Sequence, residues 1–169
     1  MRMRKKPNLA PRMERCSDIL IADPSQMKGK WLSLKPDAKQ IWLEIGCGKG
    51  GFICEMAARH PEINFLAVEK YANVLVTACE EAQDRGLTNL HFLWGDAEYL
   101  DRFFTPNSIR TLYLNFSTPF PKKRQATHRL THPHFLKMYR NILPEGAHVI
   151  QKTDGRVFFQ YSLAQFSQC

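Results

Sequence analysis

The stretch that decides the fold is IWLEIGCGKGG, Ile41–Gly51. A short apolar run, interrupted only by Glu44, closes on Gly46, and glycines follow at 48, 50 and 51. A run of this length ended by glycine reads as a buried strand. Gly46, Gly48 and Gly50 let the backbone turn tightly and approach a ligand closely. Gly46, Gly48 and Gly51 also fit G-x-G-x-x-G, a nucleotide-binding fingerprint that is weak when it stands alone.

Outward from this turn the pattern stays regular. Gly51–Arg59 reads as a helix stopped by His60-Pro61, and Asn64–Glu69 as a second strand. Ala72–Arg85 reads as a helix with Gly86 where a left-handed cap is wanted. Leu90–Gly95, Ile109–Phe116 and His148–Thr153 complete five predicted strands, with helices at Pro133–Leu143 and Val157–Phe166. Strands alternating with helices give an α/β fold, a doubly wound and mostly parallel sheet. Ligands of such sheets sit at the carboxyl ends of the strands, where the strand order reverses. Residues 1–30 read as a basic N-terminal extension with a short helical stretch at Met13–Ala22, and 31–169 as the domain proper.

A chain of 169 residues is long enough for a sizeable core. No apolar run approaches the ~20 residues that span a bilayer, and a cytoplasmic location is expected. Cys16, Cys47, Cys54, Cys79 and Cys169 form no C-x-x-C pair, which points to reduced thiols, mostly buried. His132 and His134 have no cysteine or carboxylate at ligand spacing, so no metal is expected. The net charge of +8 is unevenly placed. Residues 1–30 hold eight Lys/Arg against three acids, and 120–140 hold six against none. Two basic segments on a mildly acidic body suggest a polyanionic partner.

Acids at the strand ends oppose this positive background. Glu69 closes the second strand, where a carboxylate can accept both hydroxyls of a ribose. Asp96 and Ala97 follow the third strand, where a carboxylate and a backbone amide would meet an adenine edge. A nicotinamide cofactor would rest its pyrophosphate on the helix N-terminus. Glu44 argues against that, because a carboxylate there repels a pyrophosphate and attracts a cationic ligand. S-adenosylmethionine carries an amino group and a positive sulfur and suits Glu44 better. The pattern E-x-G-x-G-x-G resembles the first motif of the class I methyltransferases.

The last motif is NFSTPFPKKR, Asn115–Arg124, in which a stiff Pro-Phe-Pro turn runs into three cations. With the residues that follow, it resembles the signature of the bacterial tRNA (guanine-N7)-methyltransferases, N-F-S-D-P-W-P-K-K-R-H and then R-R-L-T. MRMRKKP at the start and QKTDGRVFF from Gln151 resemble further segments of that family. The resemblance implies a Rossmann-like fold and methyl transfer from S-adenosyl-L-methionine to N7 of a guanosine in the tRNA variable loop. It implies cofactor binding by Glu44, Gly46, Gly48, Gly50, Glu69, Asp96, Ala97, Asn115 and the residue at 118. It implies that Lys122 and Asp154 contact the substrate nucleotide and that 124–129 meets RNA. From the residues themselves, Phe120 offers a stacking face for the base, and Lys122, Lys123, Arg124 and Arg129 offer charges for phosphates.

Two departures bear on activity. Thr118 stands where the family has aspartate, and Phe120 where it has tryptophan. Threonine offers one hydroxyl and no charge, so weakened chemistry is expected; the alternative is a tRNA- or cofactor-binding remnant without turnover. The family also continues with two more strands and a T-x-x-E motif that are absent here. Without those strands, His148–Thr153 becomes an open edge at which the chain, monomer or homodimer, would pair with a second copy.

Overall fold

A computed structural model describes Arg4 and residues 6–169. Most of the basic opening Met1–Lys5 therefore lies outside the described residues. Six strands form one sheet: β1 (Leu20–Ile21), β2 (Ile41–Ile45), β3 (Asn64–Glu69), β4 (Leu90–Trp94), β5 (Thr111–Asn115) and β6 (His148–Lys152). Their order is β1-β4-β3-β2-β5-β6, and all five pairings are parallel. Without β1, the order β4-β3-β2-β5-β6 is that of a doubly wound parallel sheet. The order reverses at β2, which lies between β3 and β5.

The strand count is one more than the sequence reading gives. The extra strand is Leu20–Ile21, within the predicted helical stretch Met13–Ala22, and it pairs with Phe92 and Leu93. Two residues carry no alternating pattern, so tertiary pairing alone makes them a strand. The preceding helix α1 is Leu9–Arg15. The basic opening is also less free than its charge suggests. The Arg12 guanidinium pairs with Glu80, and Lys6 Nζ donates to Thr77 Oγ1 at 2.7 Å. Both partners lie on α3 (Ala72–Asp84), so these cations hold α1 to the domain.

The remaining helices are α2 (Gly51–Arg59), α4 (Leu100–Phe103), α5 (Pro133–Ile142) and α6 (Arg156–Ser167). β3 is buried along its whole length, as expected for a strand covered on both faces. One face packs Leu43, Leu66, Leu112, Phe104 and Tyr139 with α4 and α5. The other packs Phe65, Phe92, Ile53 and Leu75 with α2 and α3. Cys16, Cys47, Cys54 and Cys79 are buried and free, and Cys169 is exposed and free. Two buried asparagines fix loops to this frame. Asn64 Nδ2 donates to Trp31 O, and Asn89 Nδ2 reaches the carbonyls of Ala57 and Ile63. At the far side β6 pairs only with β5, its outer edge is unpaired among the described residues, and its residues alternate between exposed and half-buried.

Candidate cofactor and substrate site

The site is built where β2 and β5 diverge. Glu44, near the end of β2, is 2% exposed. Its Oε2 accepts a hydrogen bond from Asn115 Nδ2 at 2.8 Å, across the switch point. Its Oε1 is buried without a partner, and so are Asn115 Oδ1 and Ser117 Oγ. Burial pushes the Glu44 carboxyl up to about 7; the Asn115 amide opposes this and nearby Glu69 adds to it. Glu69 is also buried, and burial raises its pKa against the pull of the Gly48 and Tyr71 N–H groups. Two desolvated carboxyls, one of them Glu44 with an unpartnered Oε1, are costly to bury. A ligand carrying an ammonium or sulfonium charge offsets that cost.

The glycine turn brings the backbone to this floor. Gly46, Gly48 and Gly50 all have positive φ, from 56° to 83°, conformations that other residues rarely adopt. The turn is held to β3 by Gly46 N–H, which donates to Val68 O at 2.7 Å. Asp96 follows β4, and its Oδ1 accepts from Glu98 N–H at 3.0 Å, capping the short turn at Ala97–Tyr99. Ala97 is buried in the core face beneath it.

A groove of about 1260 Å³ opens beside these strand ends, bounded by Leu9, Met13, Leu20, Tyr71, Trp94 and Thr118. That is larger than one small ligand needs. Tyr71 and Trp94 are exposed at 50% and 41%, and Trp94 Nε1 donates to Lys70 O. Thr118 faces this groove, whereas Glu44, Glu69 and Asp96 are not among its lining residues.

The loop after β5 divides its residues differently from the sequence reading. Lys122, Lys123 and Arg124 are exposed and available to phosphates. Arg129 is not free in the same way. Its Nη2 donates to Phe120 O at 2.9 Å, its Nε reaches the carbonyls of Pro119 and Phe120, and its guanidinium lies over the Tyr161 ring. It clamps the loop through Nε and Nη2, which leaves fewer of its donors for a phosphate than the exposed cations have. The Phe120 ring is half-buried and lies 5.6 Å from the His128 ring, so its stacking face is partly taken. Asp154 is exposed just beyond β6. Ser117 and Phe116 belong to the same loop but stand out only once the backbone is seen; the available signal was their position directly after a strand end.

The sheet order, the glycine turn and the acid at the end of β3 define the methyltransferase fold. A family model described as "Putative methyltransferase" matches residues 38–169. Solved structures agree on the fold. An antibiotic-related methyltransferase superposes with a TM-score of 0.62 at 12% identity, over 82% of this chain and 72% of that one. Phosphoethanolamine N-methyltransferase 2 of Haemonchus contortus, in complex with S-adenosyl-L-methionine, gives 0.53 at 19% identity, over 80% of this chain and 31% of that one. Sequence relatives narrow the class. The tRNA (guanine-N(7)-)-methyltransferase of Bacillus subtilis is 41% identical over 99% of this chain and 79% of its own length. The protein of the same name from Bacillus velezensis is 42% identical, over 99% and 77%. The chain belongs to the bacterial tRNA (guanine-N7)-methyltransferase family.

Proposed function

We propose that this protein transfers a methyl group from S-adenosyl-L-methionine to N7 of a guanosine in the tRNA variable loop, in the cytoplasm. The observation that carries the reading is the pair of unpartnered acceptors, Glu44 Oε1 and Asn115 Oδ1, at the switch point of a chain of this family. They fit the amino group of the cofactor, which brings three donors and a positive charge. Glu69 suits a ribose diol, and Asp96 with the Ala97 amide an adenine edge. Once bound, the cofactor supplies an electrophilic methyl on a positive sulfur.

Guanine N7 carries a lone pair and no proton, so the displacement needs no general base. The protein's part is to align the two reactants and exclude water, and proximity supplies most of the rate. The buried carboxyls of Glu44 and Glu69 hold a cationic ligand in place. Lys122, Lys123 and Arg124 grip phosphates, so tRNA affinity falls steeply with salt. Lys122 and Asp154 contact the substrate nucleotide in this reading. No described helix is long and apolar enough to cross a membrane. We place any self-association at the free edge of β6.

The test is label transfer from S-adenosyl-L-methionine to unmodified tRNA. Incorporation by wild type that disappears in Glu44→Ala supports the reading, and equal incorporation by both removes it. Thr118 gives a second prediction. A carboxylate there restores a charged hydrogen bond worth roughly 1.5–3 kcal/mol. Thr118→Asp should therefore raise kcat/KM for tRNA about tenfold or more in steady-state kinetics. No change would mean that position 118 contacts neither reactant.

A further inference from the structure

The loop after β5 contains two phenylalanines in left-handed backbone conformation, Phe116 at φ 51° and Phe120 at φ 44°. Phe120 is held by the fold through His128 and the Arg129 clamp. Phe116 is 66% exposed. Its N–H donates to Lys152 O at 2.8 Å, so the residue is anchored as a continuation of the β5–β6 ladder, not as a loose tip. A phenylalanine in this conformation is strained where a glycine would not be. It also shows water a large apolar ring. Among the described residues no aromatic ring or cation covers the Phe116 ring. The next residue carries a buried polar atom without a partner, Ser117 Oγ, while Asn115 Oδ1 on the other side is the acceptor given to the cofactor. An exposed flat apolar face beside an unpaired hydrogen-bonding atom is complementary to an unstacked nucleobase.

Resting on the proposed methyl transfer to tRNA, we infer that Phe116 is the platform on which the methyl-accepting base stacks, with Ser117 Oγ hydrogen-bonding its edge. Phe120 then shapes the loop from behind and does not carry the base. Base–aromatic stacking is worth about 1–3 kcal/mol by alanine substitution. Because tRNA is held mainly by phosphate contacts, most of this loss appears in alignment of the base and little in tRNA affinity.

The experiment measures methyl transfer to tRNA, equilibrium tRNA binding and equilibrium cofactor binding for wild type, Phe116→Ala, Phe116→Leu and Phe116→Tyr. The expected result is a loss in kcat of roughly 10- to 100-fold for Phe116→Ala. Phe116→Leu should be nearly as poor, because it keeps apolar area but no ring, and Phe116→Tyr should keep most of the rate. Both dissociation constants should stay within about threefold of wild type. Three results overturn the inference: an unchanged kcat in Phe116→Ala, a Leu variant as active as Tyr, or a cofactor affinity that falls in step with kcat. A wild-type chain that transfers no methyl to tRNA overturns the functional reading and this inference together, and so is told apart from failure of the inference alone.

Discussion

Replacing Glu44 with glutamine should weaken S-adenosyl-L-methionine binding by about one to two decades and, at the same time, stabilise the ligand-free protein above neutral pH. Both effects follow from one buried carboxyl. Its Oε1 lacks a partner until a donor arrives, and a charged hydrogen bond is worth roughly 1.5–3 kcal/mol. Without ligand, burial holds the carboxyl near pKa 7 instead of 4.5. Between those values the folded chain keeps a proton that the unfolded chain has released, so stability falls as pH rises through the window. The loss reaches about 3 kcal/mol once pH exceeds 7. Glutamine removes that loss. Thermal melts at pH 5.5 and 8 should show wild type falling by several degrees more than Glu44→Gln. Calorimetry should show wild-type cofactor affinity rising between pH 5.5 and 7.5, as Glu44 ionises, and the variant staying flat. A variant that binds as well as wild type would remove Glu44 from the cofactor site.

The second large effect belongs to the glycine turn. Gly50 has φ 83°, and a Cβ built there meets Ala78 Cβ at 2.8 Å and Ala78 Cα at 3.1 Å. The obstacle is α3 itself, including its backbone, so it cannot swing aside as a flexible side chain would. Gly50→Ala combines left-handed strain of about 1–2 kcal/mol with overpacking of about 1–3 kcal/mol. A loss of roughly 2–5 kcal/mol is a large part of the 5–15 kcal/mol typical of a domain. Gly46 is the control. Its φ is 77°, but nothing lies within 4 Å of its Cβ position. Gly46→Ala should cost about 1 kcal/mol in fold stability. Denaturant unfolding of the two variants checks this. Equal stabilities would show that close packing of α2 on α3 is not what requires glycine at 50.

The two glycines look alike in IWLEIGCGKGG, and their difference comes from what packs on them. The same limit runs through the chain. From Ile41 onward, strand and helix are legible because the strands ending near Gly46, Glu69 and Gly95 are apolar runs closed by glycine or an acid. Asn64–Glu69 and Gly51–Arg59 have the predicted bounds. Leu20–Ile21 is illegible because two residues show no period and their strand exists only through Phe92 and Leu93. Within the site, Glu44 is legible as a lone acid in an apolar strand, and the fold adds its bond to Asn115. The loop after β5 is the least legible. Nothing local reveals that Arg129 turns back nine residues to the Phe120 carbonyl, or that Phe116 projects outward while Phe120 is held. Those roles depend on φ and on contacts distant in sequence.

The central claim is methylation at one atom of one nucleotide, and mapping that atom tests it most directly. Unmodified tRNA is incubated with the protein and S-adenosyl-L-methionine, then treated with borohydride and aniline. That treatment cuts RNA at N7-methylguanosine, because the positively charged ring is reduced and opened. One new scission at a variable-loop guanosine is expected, absent with Glu44→Ala. Methylated tRNA that is not cut there would contradict it.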